Sequence, residues 1–399
     1  MAEQARNHDQ VLREHLARAR TIIVGGPRQV GKTAACSRMA AKFLDWNNLA
    51  GRLVILRGPE AIIKHLGLER SREREATVVI DNLHGSRNWK GLLRRFNTFF
   101  GSARHGARLR LVITTLDAPR GPRSGLPASS HVLRLHPWSV GECASTVLSG
   151  SPVTAPAAIS DADWAALLEH GGFPEPFAKR DPRFTRRWHA KRQQEFLESD
   201  LLRFSAVRDP ALLQMLTVLL AERSAAHLIY SDLSRELGVT VDTIRRWLDL
   251  LVALQYGFRV RPWFTRIPKA LRKEPKWFLR DWSGVTEPLA RARTFLACHL
   301  LKAVERWTDL GFGQFELRYV RDKTKREVDF LVLRDRRPWF LVAVGNDESL
   351  TPALRHFQEC TRAPHAFQVI LDGPFSPVDC FGQTEPVVVC ARTLLSQLP

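Results

Sequence analysis

The chain has 399 residues and a formal net charge of +19, from 60 Lys and Arg against 41 Asp and Glu. Apolar residues at 44% and charged residues at 25% are the proportions of a folded globular chain and exclude wholesale disorder. At roughly 100–200 residues per domain this length calls for two to four domains, and the basic excess favours polyanionic partners.

The excess is uneven. Residues 1–150 carry a net +13, residues 151–260 are neutral, residues 261–340 carry +9 and residues 341–399 carry −3. Arg supplies 48 of the basic residues, a preference that an Arg-rich solvated surface also explains. The six cysteines (Cys36, Cys143, Cys298, Cys360, Cys380, Cys390) form no C-x-x-C pair and are expected to be buried thiols of a reducing compartment. The N-terminal twenty residues are charged and lack an apolar signal core, and no stretch approaches the ~18 apolar residues of a membrane span. A cytoplasmic protein without membrane contact is expected.

Along the chain, residues 8–20 have helical periodicity and Thr21–Val24 is a short apolar strand running into glycines. Leu53–Leu56, Thr77–Asp81 and Leu109–Thr114 read as three more strands with helical patterns between them. That alternation predicts a parallel α/β sheet covered on both faces. Gly121–Ser130 reads as an irregular loop, Ser151–Ala158 as a Pro/Ala linker, and residues 161–260 as largely helical. From Gly313 onward FELRYV, EVDFLVL and WFLVAV, separated by charged turns, predict a meander of hairpins, with a last strand at VVVCA.

The segment Gly26-Pro27-Arg28-Gln29-Val30-Gly31-Lys32-Thr33 satisfies G-x-x-x-x-G-K-[ST], after an apolar strand and before a helical stretch. Such a loop closes backbone N–H groups around phosphate oxygens. Lys32 is then expected to reach the β- and γ-phosphates and the Thr33 hydroxyl to ligate Mg²⁺. Thr77-Val-Val-Ile-Asp81, a β-branched run ending in an acid, supplies the second Mg²⁺ residue. ATP and Mg²⁺ are the expected ligands.

With Trp89 a few residues further on, these motifs resemble a group of bacterial and archaeal AAA+ ATP-binding proteins whose C-terminal half is a domain of unknown function related to PD-(D/E)XK nucleases. His136-Pro-Trp-Ser139 with Gly141-Glu142, Gly171-Gly-Phe-Pro174, Glu198-Ser-Asp200-Leu201 and Arg326-Glu-Val-Asp-Phe330 resemble further motifs of that group in the same order. The resemblance implies an α/β fold: an AAA+ P-loop domain with a parallel sheet (1–150), a helical lid (151–204), a winged-helix-like middle (205–265) and a degenerate restriction-endonuclease-like α/β domain (266–399). It also implies a ring-like homo-oligomer with an arginine finger, for which Arg120, Arg123 and Arg134 are the candidates.

Two positions depart from the group's pattern. Its acidic strand ends Asp-Glu, the Glu polarising the attacking water, whereas Asp81 is followed here by Asn82. An amide accepts no proton, so ATP binding should persist with slow turnover. At the end of the next strand, Thr115 stands after Thr114 where the group places a γ-phosphate sensor. In the C-terminal half Asp329 is present, but the following strand carries Val342-Ala343-Val344-Gly345 in place of an E-x-K pair. One carboxylate does not hold a catalytic metal, so the nuclease-like domain is expected to be inactive.

Tyr230–Leu248 patterns as a helix-turn-helix, with Gly238 at the turn and Thr240 as cap. Residues 205–260 hold six basic and six acidic groups, which favours packing over DNA readout there. Arg318, Arg321, Lys323, Lys325 and Arg326 flank one hairpin, Arg334, Arg336 and Arg337 lie at the next turn, and with Lys269, Arg272, Lys273 and Lys276 they make the candidate surface for non-specific nucleic-acid binding. The run Arg180–Arg192 is a candidate to face a neighbouring subunit's nucleotide. The alternative partner for these basic faces is an acidic protein, with the chain as a nucleotide-dependent scaffold.

Overall fold

A computed structural model describes residues 6–39, 42–68, 75–101, 108–116, 125–127, 130–145, 150–201, 209–263, 274–345 and 349–399. The chain divides into two compact units, Met1–His136 and Pro137–Pro399.

The first unit runs α1 (Asn7–Arg18), β1 (Thr21–Gly25), α2 (Lys32–Ser37), β2 (Lys42–Asp45), α3 (Leu49–Arg57), α4 (Pro59–His65), β3 (Glu75–Asp81), α5 (Trp89–Gly101), β4 (Arg108–Thr114) and β5 (Ser130–Arg134). Its five strands form one all-parallel sheet in the order β2-β3-β4-β1-β5. Ile22, Ile23 and Val24 of β1 are wholly buried, as expected of a strand covered on both faces. Ile23, Val78, Ile80, Leu111 and Ile113 of the sheet pack with Leu93 and Phe96 of α5 in one core. β1 is flanked by β4 and β5, so the chain leaves its carboxyl end at a topological switch point, where open parallel sheets form a ligand crevice.

Leu53–Leu56 is helical, in α3, rather than a strand. Gly51, Val54 and Ile55 face inward, whereas Leu49, Leu53 and Leu56 are exposed, a spacing of four and three. Leucines on the outer face hide that period in the sequence. Asn48 starts the helix by accepting the Ala50 N–H at 2.9 Å. Two strands, β2 and β5, join the three that the pattern identifies in this unit.

The second unit runs α6 (Val140–Ala144), α7 (Asp161–His170), α8 (Pro174–Lys179), α9 (Pro182–Glu195), a π-helical turn (Phe196–Leu201), α10 (Pro210–Glu222), α11 (Tyr230–Leu237) and α12 (Val241–Ala253). There follow β6 (Gly257–Pro262), β7 (Lys276–Leu279), α13 (Pro288–Asp309), β8 (Phe315–Arg321), β9 (Glu327–Arg334), β10 (Arg337–Gly345), α14 (Pro352–Thr361), β11 (His365–Ile370), β12 (Val387–Cys390) and α15 (Ala391–Ser396). A mixed seven-stranded sheet has the order β12-β11-β10-β9-β8-β6-β7, and β8, β9 and β10 form the expected antiparallel meander. The 22-residue α13 lays Phe295, Leu296 and Trp307 into the core with Phe330, Phe340 and Phe367 of the sheet.

The boundary expected at residue 150 falls at His136, and the three segments expected beyond it form one unit. Two contacts explain this. The 151–158 stretch is tied down: Trp307 Nε1–H donates to the Pro152 carbonyl at 2.6 Å, and the Thr154 N–H donates to the Gln397 carbonyl at 3.1 Å. β6 follows the α11–α12 pair directly and joins β8 in the large sheet, so 205–265 and 266–399 contribute strands to one sheet. α11 and α12 do form the helix-turn-helix: Gly238 takes the left-handed turn at φ +64° and the Thr240 hydroxyl accepts the Thr243 N–H at 3.2 Å. Among the cysteines, Cys36, Cys298, Cys380 and Cys390 are buried, but Cys360 is exposed on α14 and Cys143 is half-buried. Among the described residues, no helix is long and apolar enough to cross a membrane.

Candidate functional site

The loop between β1 and α2 holds Gly26 through Thr33. Gly26 is closely approached: a Cβ there would lie 2.3 Å from the Leu135 carbonyl oxygen, so no other residue fits without moving the backbone. Its N–H donates to the Leu116 carbonyl at 2.9 Å. Pro27 and Val30 are buried, Arg28 is half-buried, and Gln29 is exposed with φ +62°. The Val30 carbonyl accepts from the buried Arg6 guanidinium at 3.2 Å, and the same group donates to the His136 carbonyl at 2.8 Å. Gly31 caps α2. Lys32, 7% exposed, donates from Nζ to the Gly26 and Pro27 carbonyls at 2.7 Å each, which turns its ammonium onto its own loop.

Asp81 ends β3 and is 2% exposed. Its Oδ2 accepts the Thr33 hydroxyl at 2.8 Å and the Asn82 side-chain amide at 2.9 Å, and its Oδ1 accepts the Thr114 hydroxyl. Burial pushes this carboxyl above the ordinary carboxylate range. The Thr114 and Thr33 hydroxyls oppose that, neighbouring Asp45 adds to it, and Lys32 counters it. Burial likewise drives the Cys36 thiol up to about 12, so Cys36 is an inert neighbour of the site.

Asn82 stands at φ +57°, a left-handed conformation that Asn tolerates better than most side chains. Its backbone N–H donates to Thr114 Oγ1 at 2.8 Å and its side-chain amide donates to Asp45 Oδ1 at 3.1 Å. Thr115, the expected sensor, is wholly buried, with its N–H on the Val24 carbonyl at 2.9 Å. The hydroxyl that meets Asp81 belongs to Thr114. Thr33, Asp81, Asn82, Thr114 and Asp45 therefore make one connected polar cluster beside the loop. Sequence reasoning passes over Asp45, although Phe43-Leu44-Asp45 is a short apolar run ending in an acid, as the longer Thr77–Asp81 is. Arg134 ends β5, while Arg120 and Arg123 lie outside the described residues.

In the second unit Asp329 is 7% exposed on β9. It accepts the Val344 N–H at 3.0 Å and lies 3.2 Å from Lys276 Nζ and 3.1 Å from Arg293 Nε. Glu327, two residues earlier on the same face, contacts Lys276 at 2.5 Å and His227 at 2.8 Å. Burial resists ionisation of Glu327, but the His227 hydrogen bond and the Lys276 ammonium outweigh it and hold the carboxyl down at about 2. Among the described residues no group of three or more His, Cys, Asp or Glu is placed to hold a metal ion.

Lys276, expected in a basic groove, is 3% exposed and bound to these acids, so it is withdrawn from any phosphate. On the hairpin, Arg318 pairs with Glu316 at 3.1 Å, Arg321 contacts His227 at 3.1 Å, and Arg326 pairs with Asp322 at 2.7 Å. Lys323 and Lys325 are exposed in the turn, and Lys269, Arg272 and Lys273 lie outside the described residues. In the Arg180–Arg192 run, Arg180 pairs with Asp163, and Arg192 pairs with Asp281 at 3.2 Å and stacks 3.8 Å over Phe173. The Gly171–Pro174 motif is a packing element. Gly172 accepts the Trp138 N–H at 2.7 Å, and a Cβ on it would lie 2.6 Å from the Trp138 carbonyl oxygen and 2.7 Å from the Trp282 ring. Ser139 and Glu142 are bound by Lys302, at 2.8 Å for Ser139. Glu198 accepts from Gln194 at 2.8 Å, and the side chains of Asp200 and Leu201 lie outside the described residues.

Residues 161–288 match the family model described as a domain of unknown function (DUF8612). The chain is similar to the uncharacterized proteins Mb2031c of Mycobacterium bovis and Rv2008c of Mycobacterium tuberculosis. Each is 27% identical over 274 residues, covering 68% of this chain and 56% of the relative. The chain thus spans about half the length of the curated relatives it matches. Among solved structures it is similar to the Walker-type ATPase of Pyrococcus abyssi at 13% identity and a TM-score of 0.42, with 74% of this chain and 96% of that chain covered. It is also similar to a single-residue variant of RuvB from Thermotoga maritima at 13% identity and a TM-score of 0.27, with coverage of 63% and 89%.

Proposed function

We propose that the chain is an ATP-binding P-loop protein of AAA+ type that works as a homo-oligomer and turns ATP over slowly. The observation that carries this reading is the 2.8 Å contact between Thr33 of the loop and Asp81 of β3, which brings a hydroxyl and a carboxylate from separate elements to one point. A buried carboxyl held above its ordinary range and ringed by hydroxyls that can rotate away is suited to receive a divalent cation. Thr33 and Asp81 would hold Mg²⁺, which when bound neutralises charge on the phosphates. The backbone N–H groups of Gly26–Thr33 would cradle those phosphates, and Lys32 would exchange the Gly26 and Pro27 carbonyls for them. Thr115, behind Thr114, remains the proposed γ-phosphate sensor. Asn82 accepts no proton, which is the reason for slow turnover.

The second unit would serve as a platform without nuclease activity, because Asp329 is neutralised by Lys276 and Arg293 instead of joining further acids around a metal. Its hairpin, with Lys323 and Lys325 outermost and Arg318, Arg321 and Arg326 behind internal partners, would grip nucleic-acid backbone without reading sequence. Sizing with and without ATP·Mg²⁺, in wild type and Lys32→Ala, tests the oligomeric reading: assembly that responds to nucleotide in wild type alone is expected, and identical sizes throughout contradict it. Salt-titrated DNA binding tests the hairpin. Lys323→Ala with Lys325→Ala should flatten the log–log slope by about 2, and an unchanged slope removes the hairpin from the interface.

A further inference from the structure

The polar cluster of the first unit holds a carboxylate that the motifs do not assign. Asp45 closes β2 and stands in register with Asp81 on the adjacent β3, so both acids emerge at the carboxyl edge of the sheet, the edge where the phosphate loop leaves β1. The Asn82 amide spans the two, donating to Asp81 Oδ2 at 2.9 Å and to Asp45 Oδ1 at 3.1 Å. Thr33 contacts the same Asp81 oxygen at 2.8 Å. An unbroken hydrogen-bonded path of Thr33, Asp81, Asn82 and Asp45 therefore leads from the loop to the second acid.

Asp45 is also held in place. The Asn47 N–H donates to its Oδ1 at 3.0 Å, so both donors converge on one oxygen and leave Oδ2 directed away from them. The half-buried carboxylate is positioned by backbone and amide donors, whereas Asp81 is enclosed by three side chains and is suited to a cation. Enclosure by Thr33, Asn82 and Thr114 fits Asp81 to hold a cation, and the two donors on a single oxygen of Asp45 fix that carboxylate's orientation as a proton acceptor requires.

We propose that Asp45 is the general base for the slow ATP hydrolysis, standing in from the neighbouring strand for the base that Asn82 cannot be, with Asn82 as the positioning residue that aims it. This rests on the proposed nucleotide site. In the step assigned, the oxygen of a water molecule bonds to the γ-phosphorus as the bond from that phosphorus to the β–γ bridging oxygen breaks. The water proton passes to Asp45 Oδ2, and the products are ADP and inorganic phosphate. Asp45 reaches the water from the neighbouring strand, with a side chain one methylene shorter than the Glu it stands in for.

The test measures nucleotide affinity and hydrolysis separately on the full chain, using a fluorescent ATP analogue and phosphate release. Asp45→Asn keeps an oxygen for the Asn47 N–H and should leave ATP·Mg²⁺ affinity within about threefold while lowering kcat by ~10²–10⁴. Asp45→Glu should restore part of the rate and move the acidic limb of the kcat–pH profile, a change that a purely structural side chain would not produce. Nucleotide binding with kcat unchanged in Asp45→Asn overturns the assignment and leaves the site intact. So does a wild type that binds ATP and hydrolyses none. A wild type that binds no nucleotide overturns the site and the assignment together.

Discussion

Asp45 and Asp81 face each other across the parallel pairing of β2 and β3, with the Asn82 side-chain amide donating to both. A like charge at the adjacent strand end opposes ionisation of Asp81, and the Asn82 side chain presents N–H groups to both carboxylates. The same pairing contributes to holding the Asp81 carboxyl above its ordinary range, after burial.

That shift has a sign. A folded-state carboxyl raised above its unfolded value binds its proton more tightly in the folded protein. Its contribution to stability is fullest below the ordinary value of 3.8 and is lost as pH rises through the raised one. The melting temperature of wild type relative to Asp81→Asn should therefore fall as pH rises above the ordinary value of 3.8, without ligand. Adding ATP·Mg²⁺, which favours the ionised form, should restore it. A difference that instead rises with pH would show an Asp81 stabilised as the bare anion.

Lys276 is a second buried charge with defined consequences. Its ammonium bridges Glu327 and Asp329, and removing it leaves these two acids, among the described residues, with only Arg293 and the His227 and Arg321 side chains for compensation. Lys276→Met should destabilise the protein by about 3–5 kcal/mol in denaturant melts, whereas Lys325→Met in the exposed turn should cost about 0–1 kcal/mol. Equal costs for the two would show that the buried network contributes nothing.

Gly172 tests whether the Gly171–Pro174 motif acts in packing. A Cβ at this position would lie under 3 Å from both Trp138 and Trp282, so Gly172→Ala should destabilise the protein by about 1–3 kcal/mol. Nucleotide affinity should stay within about twofold. A large loss of affinity with an unchanged melting temperature would move the motif into the nucleotide site.

Much of this architecture is legible in the residues. TIIV, TVVID and LRLVIT announce the parallel sheet because strands buried on both faces become continuous β-branched runs. The phosphate loop and Asp81 follow from motif and context, and the meander from alternation. α3 reads as a strand because Leu49, Leu53 and Leu56 lie on its outer face and blur the helical period. Asp45 carries only a weak signal because β2 has four residues, too few for its short apolar run ending in an acid to stand out. Its role depends on register, which pairs it with Asp81 across thirty-odd residues of sequence. Lys276 resembles a groove residue because charge counts do not distinguish a solvated lysine from one enclosed by Glu327 and Asp329. The linker at 151–158 is tied down by hydrogen bonds from Trp307 and to Gln397, contacts that composition does not reveal.

Lys32, Thr33 and Asp81 are the residues on which the proposed binding of ATP with Mg²⁺ depends. The most direct measurement is equilibrium binding of a fluorescent ATP analogue to the full chain, with and without Mg²⁺, in wild type, Lys32→Ala and Asp81→Asn. Wild type should bind with Mg²⁺-dependent affinity, Lys32→Ala should lose at least about tenfold, equivalent to about 1.4 kcal/mol, and Asp81→Asn should lose the Mg²⁺ dependence. Binding that is indifferent to Mg²⁺ and unchanged in both variants would contradict the account.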